Sequence, residues 1–248
     1  MNSILRRLLF GLSTGLFLTA AMLPAEANGQ LGRTAQHAVK QSNRFSDVGD
    51  DYWAKPFIDA LAADGYVSGY DDGRFRPDQQ LTRAEFAAML KQAFADAPEL
   101  KPASAAFADV SSVVWALPAI DFVESRGFMS GIGQGRFDPS SDISRVQVIV
   151  ALSSGLDLEP IDDTEMFLAS NYTDITEIPF WAYSQATAAT MNEVVVNPQP
   201  VTMPTQLEPN RAATRAEVAA MVYQALAREN KIAPLSAADR ATTHIVGF

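Results

Sequence analysis

The 248-residue chain contains no cysteine and only two histidines. Without thiols there is no disulfide, no thiolate metal site and no cysteine nucleophile. His37 and His244 lie in the terminal flanks, which excludes a histidine-based catalytic centre in the core and reads as two solvated residues. Basic residues are scarce: 19 Lys and Arg stand against 29 Asp and Glu, for a net charge of −10. DNA, RNA and anionic lipid call for clustered Lys and Arg, so this balance argues against nucleic acid or a membrane surface as the main partner. An anion can still be held by locally placed donors. No residue pattern calls for a metal or an organic cofactor, and none is expected.

Long apolar runs are confined to the N-terminus. Arg6 and Arg7 precede the stretch from Leu8 to Leu23, and Ala25-Glu26-Ala27 follows. This is the order of an export signal: a positive start, a short apolar core and small residues at the cleavage point. The core is short for a membrane span, which needs about 20 apolar residues. Residues 1–27 therefore read as a signal peptide, leaving no membrane span after cleavage, and 28–44 as a flexible lead.

What the chain does have is a segment used three times. Phe45, Phe107 and Tyr172 open three copies. Copy one runs over 45–96 and copy two over 107–155. After an acidic spacer, 156–171, a decayed copy three runs over 172–229, and a tail, 230–248, closes the chain. In copy one Trp53, Phe57, Ile58, Ala60 and Leu61 recur at helical spacing. Gly65 follows as a left-handed stop, then a turn at Gly69-Tyr70-Asp71-Asp72-Gly73, then a second helix from Thr82. Copy two repeats this with Trp115, Gly127, a turn from Gly131 and a helix from Ser144. Copy three keeps Trp181 and its second helix, but has Asn192-Glu193 in place of the glycine stop and a longer, proline-rich loop. One helix pair cannot bury its own apolar face, whereas three copies can share a core. The expectation is a mostly α-helical, pseudo-threefold bundle.

The second helices begin Thr82-Arg83-Ala84-Glu85, Ser144-Arg145-Val146-Gln147 and Thr214-Arg215-Ala216-Glu217. Each is a capping box, which accounts for Thr82, Glu85, Ser144, Gln147, Thr214 and Glu217. It does not account for Arg83, Arg145 and Arg215, cations at the positive end of a helix dipole. Free N–H groups, the dipole and a guanidinium fork together make an anion site. The competing reading pairs each arginine with a nearby acid such as Asp78, Asp142 or Glu208. Each copy also carries an acid and a tryptophan: Asp47 and Trp53, Asp109 and Trp115, Asp174 and Trp181. An indole that stacks on a sugar face beside a carboxylate that accepts from hydroxyls would hold a glycan. Core packing for the tryptophans and helix capping for the aspartates are the alternatives. Acid pairs such as Asp71-Asp72 and Asp162-Asp163 read as solvated turns rather than a hydrolase centre, and no enzyme activity is expected.

FSDV, the following Trp, GYVSGYDDGRFRPD and LTRAEFA in copy one, with their weaker counterparts in copy two and copy three, resemble the S-layer homology (SLH) repeat. That resemblance implies three helix-loop-helix repeats in a three-pronged pseudotrimer. It implies non-covalent attachment of an exported protein to a wall-linked or peptidoglycan-linked polysaccharide, with a pyruvate ketal on an amino sugar bound in grooves between repeats. The glycan-binding residues it implies are Arg83, Arg145 and Arg215, with Trp53, Trp115, Trp181, Asp47, Asp109, Asp174, Gly69 and Gly131. Loss of the turn in copy three suggests one or two competent grooves. An envelope scaffold that contacts other envelope proteins and binds no glycan is the second reading. Intact mass of the protein recovered outside the cytoplasm should place its first residue at Asn28; a retained Met1 would show the segment to be an anchor.

Overall fold

Local chemistry starts and stops the helices. The computed structural model describes residues 45–102, 107–110 and 115–247, all within one contact unit; the expected signal peptide and lead, with Phe248, lie outside these residues. The helices are α1 (Lys55–Ala63), α2 (Arg83–Ala93), α3 (Leu117–Ser125), α4 (Arg145–Gly155), α5 (Thr164–Asn171), α6 (Tyr183–Met191) and α7 (Arg215–Arg228). Short 3₁₀ turns cover Ile175–Glu177, Phe180–Ala182 and Arg240–His244. No strand occurs among the described residues, only isolated bridges. The first helices of copies one and two open on a proline, Pro56 and Pro118, which cannot donate and loses nothing in a first turn. Their stops, Gly65 and Gly127, have φ of +80° and +76°.

Helices pair between copies rather than within them. In each case the first helix of one copy packs on the second helix of another: α3 on α2, α6 on α4, and α1 on α7. The last pairing joins copy one to copy three. Phe57, Ile58, Leu61, Phe86, Leu90, Ile120, Val123, Ile149, Leu152, Met221 and Leu226 form part of one shared core. The three second-helix starts meet through a closed circle of backbone hydrogen bonds. Leu81 N donates to Ala213 O (3.2 Å), Ala213 N to Ile143 O (2.9 Å) and Ile143 N to Leu81 O (2.8 Å).

Two segments are more ordered than their sequence suggests. The acidic spacer contains α5, capped by the Asp163 carboxylate on Met166 N at 3.0 Å and anchored by the buried Leu168. The tail folds back so that His244, expected to be solvated, is buried and faces Asn197 O through Nδ1 at 2.9 Å. The spacer helix buries only Leu168, too little to give a periodic signal, and the tail docks through backbone bonds to residues more than 40 positions upstream. Copy three solves the helix stop differently: Glu193 takes the left-handed conformation (φ 58°) that Gly65 and Gly127 take in the other copies. A side chain there is strained, so Glu193→Gly should raise unfolding free energy by about 0.5–1 kcal/mol in chemical denaturation.

Candidate functional site

At each helix start the N–H groups of the cap residue and of the first two helical residues are taken. Each capping box is closed: Thr82 N donates to Glu85 Oε2 (2.8 Å), Ser144 N to Gln147 Oε1 (3.1 Å) and Thr214 N to Glu217 Oε2 (2.8 Å). The next two N–H groups are taken by the loop of another copy. Arg83 N and Ala84 N reach Ser141 O and Pro139 O; Arg145 N and Val146 N reach Arg211 O and Pro209 O; Arg215 N and Ala216 N reach Gln79 O and Pro77 O. The expected anion site at the helix terminus is therefore corrected. Its donors hold the copies together instead, because an orphan N–H at a buried helix end must be satisfied by some partner.

The arginine side chains leave their own copy as well, and their fates differ. Arg83 Nε donates to Phe137 O (2.8 Å) and Nη2 to Ser130 O (3.0 Å). Arg215 Nη2 donates to Ser68 O (2.6 Å), and its buried Nε has no partner. Its guanidinium carbon lies 4.7 Å from the Phe75 ring centroid. Among the described residues neither guanidinium is in an ion pair. Burial pushes the pKa of both downward, outweighing the opposing effect of Asp138 and Asp109 on Arg83 and of Tyr70 and Glu85 on Arg215.

Arg145 is different. It is fully buried, bonded to Leu207 O, Val196 O and Asn197 Oδ1, and ion-paired with Glu217 at 3.0 Å. The assignment of Arg145 to a glycan is corrected on that ground: no donor remains exposed. The acid that pairs with it is a capping-box residue, not Asp78, Asp142 or Glu208. Asp78 instead accepts from Tyr52 Oη at 2.7 Å, and Glu208 pairs with Arg211.

The three aspartates are turn clamps. Asp47 accepts from Phe75 N (2.8 Å) and Arg76 N (2.7 Å), Asp109 from Phe137 N (2.9 Å) and Asp138 N (2.8 Å), and Asp174 from Leu207 N (2.9 Å) and Glu208 N (2.8 Å). Each carboxylate grips two successive N–H groups of its own loop. It is neither turned to a sugar nor capping the first helix, so both sequence readings of Asp47, Asp109 and Asp174 are corrected. Gly69 and Gly131 are required sterically. A Cβ on Gly69 would strike the Phe45 ring and lie 2.8 Å from Arg74 O; on Gly131 it would lie 2.6 Å from Phe107 and 2.7 Å from Arg136 O.

The tryptophans complete the grooves, again across copies. A first groove of about 300 Å³ joins Arg215 of copy three, the Ser68–Gly69–Tyr70 turn and Glu85 of copy one, and Trp115 of copy two. A second, of about 590 Å³, joins Arg83 of copy one, the Ser130–Gly131–Ile132 turn and Gln147 of copy two, and Trp181 of copy three. Trp115 is 66% exposed and Trp181 59%. The core-packing alternative fails for both. It holds in part for Trp53, half-buried with its ring centroid 5.2 Å from that of His244.

By the same construction a third groove would unite Arg145, the Val196–Asn197 turn and Trp53. The tail lies along it: Asn197 N donates to His244 O, Val246 N to Val195 O and Val201 N to Thr243 O. The tail's role had no signal in the sequence.

A family model, S-layer homology domain, matches residues 44–87 and 106–149. The chain belongs to this family. Both SLH matches cover copies whose turn glycine and clamp aspartate are described above; the third copy shares the clamp and the capping box without being matched. The chain is 34% identical over 179 residues to S-layer protein sap of Bacillus anthracis, covering 72% of this chain and 20% of that protein. It is 26% identical over 156 residues to the cellulosome-anchoring protein of Acetivibrio thermocellus, 62% of this chain and 34% of that protein. It is 29% identical over 195 residues to exoglucanase XynX of the same organism, 78% of this chain and 17% of that protein. The chain thus spans from 17% to 34% of the length of these relatives.

Glu217 links the SLH copies electrostatically. Burial alone would raise its pKa, but the hydrogen bond from Arg211 and the charge of Arg145 outweigh it and hold the carboxyl below its ordinary range. A depressed folded pKa contributes stability above the unfolded value, near pH 4.3, that is lost as pH falls through the folded value. Glu217→Gln should flatten that acid limb. At neutral pH it should cost about 3–5 kcal/mol, because Arg145 is left as an uncompensated buried charge. Urea denaturation at several pH values measures both effects.

Proposed function

We propose that this is an exported, wall-associated envelope protein that binds an anionic wall-linked polysaccharide non-covalently through its two open grooves. One observation carries the reading: each open groove sets a partly desolvated guanidinium, in no ion pair among the described residues, beside an exposed indole. A carboxylate such as a pyruvate ketal would compensate the charge, and the indole would stack on the sugar face. The names of the relatives, S-layer protein and cellulosome-anchoring protein, fit attachment at the cell surface. The two grooves are binding surfaces rather than a catalytic centre, and the matched part of the exoglucanase is a small fraction of that enzyme.

A scaffold without glycan affinity is the second reading, favoured by the third position, where Arg145 is sealed in the interior and paired with Glu217. Sedimentation with purified wall sacculi separates the two. Arg83→Gln combined with Arg215→Gln should reduce the sedimented fraction at least about tenfold, the scale of losing charge-assisted bonds, while each replaced arginine bond costs only about 0.5–1.5 kcal/mol in stability. Undiminished sedimentation by the double variant, or equal binding to sacculi stripped of pyruvate, would sink the anion mechanism. No sedimentation of the parent protein favours the scaffold.

A further inference from the structure

The two open grooves are built from equivalent positions, yet one position differs in polarity. Gln147 stands in the second groove where Glu85 stands in the first. Each side chain is anchored by its capping box, and the anchoring dictates which end is left over. Ser144 N must be met by an acceptor, so Gln147 turns Oε1 to the cap and its Nε2 makes no hydrogen bond among the described residues. Thr82 N and Oγ1 both meet Glu85 Oε2, and Oε1 makes no hydrogen bond among the described residues. The first groove is thus left an ionised acceptor and the second a pair of N–H donors. The charges run the same way. Arg215 shares its groove with Glu85, whereas Arg83 shares its own with Lys101 and the buried Glu124, and no carboxylate replaces Gln147.

We infer that the two grooves select different sugar substituents. The second takes a residue presenting acceptors at this point, a carboxylate or an N-acetyl carbonyl. The first takes one presenting a donor, a hydroxyl or an ammonium. Matching a donor to Glu85 satisfies a charged acceptor, while an acceptor there meets like polarity and leaves both groups unpaired. The inference rests on the glycan-binding reading above.

The chain has three tryptophans, and the grooves use one each, so the indole N–H signals of Trp115 and Trp181 report the two sites separately in nitrogen-15 NMR. The probes are two methyl glycosides of a pyruvate-ketal hexosamine, one N-acetylated and one with a free amine. The N-acetylated probe should shift Trp181 at roughly tenfold lower concentration than Trp115, the size of one mismatched charged hydrogen bond, and the amine should reverse the order. Glu85→Gln and Gln147→Glu each install the residue with which another copy closes its own box, so the fold is retained. Together they should exchange the order of the two signals. Parallel titration of both indoles in the parent protein, or an order unchanged by the exchange, overturns this inference alone. No shift of either indole with either probe overturns the glycan reading and this inference with it.

Discussion

Everything in this molecule depends on how the three second-helix starts satisfy one another's backbone. A helix brings unpaired N–H groups to its first turn, and three such ends are brought together at the centre. Leu81, Ile143 and Ala213 close a circle of backbone bonds, while the carbonyls of Pro77, Pro139 and Pro209 and their neighbours cover the remaining donors. Each helix start thus depends on the loop of another copy. The aspartates belong to the same device: Asp47, Asp109 and Asp174 rigidify the loops that supply those carbonyls. Helix pairing between copies, α3 on α2, α6 on α4 and α1 on α7, follows from the same exchange.

That constraint also decides where the grooves lie. An arginine at the first helical position is carried across to the turn of the copy that covers its helix start. Whether it ends lining a groove or as part of the interior depends on what waits there. Arg83 and Arg215 meet backbone carbonyls and aromatic rings. Arg145 meets Asn197 and Glu217 and is sealed beneath a turn on which the tail lies. Three equivalent starting positions become two grooves lined by an arginine and one site where the arginine is sealed in, because a single copy has a hydrogen-bonding side chain, Asn197, in place of the turn glycine.

Much of the fold was legible in the chain because its signals are local. A capping box spans four residues and a glycine stop one, so Thr82, Ser144, Thr214, Gly65 and Gly127 could each be read without knowing their neighbours in space. The aspartates were misread because their partners lie about 28 residues downstream, where no periodicity links a carboxylate to a pair of N–H groups. Gly69 and Gly131 were recognised as turn residues, but the reason, an aromatic ring of the same copy against the backbone, is purely spatial. The folded tail was missed because its backbone partners, Val195, Asn197 and Val201, lie more than 40 residues upstream, and the spacer helix because it buries only Leu168.

By itself the sequence determined the helical class, the threefold reuse of one segment, the ends of its helices and the presence of an arginine that capping does not explain. These are matters of short-range stereochemistry and of apolar spacing. Only the tertiary structure decided which copy each arginine serves, that every groove is assembled from three copies, that two are open, and that the helix-terminal N–H groups are not available to a ligand. Those outcomes rest on long-range hydrogen bonds and burial, which depend on how the copies close on one another rather than on any one of them.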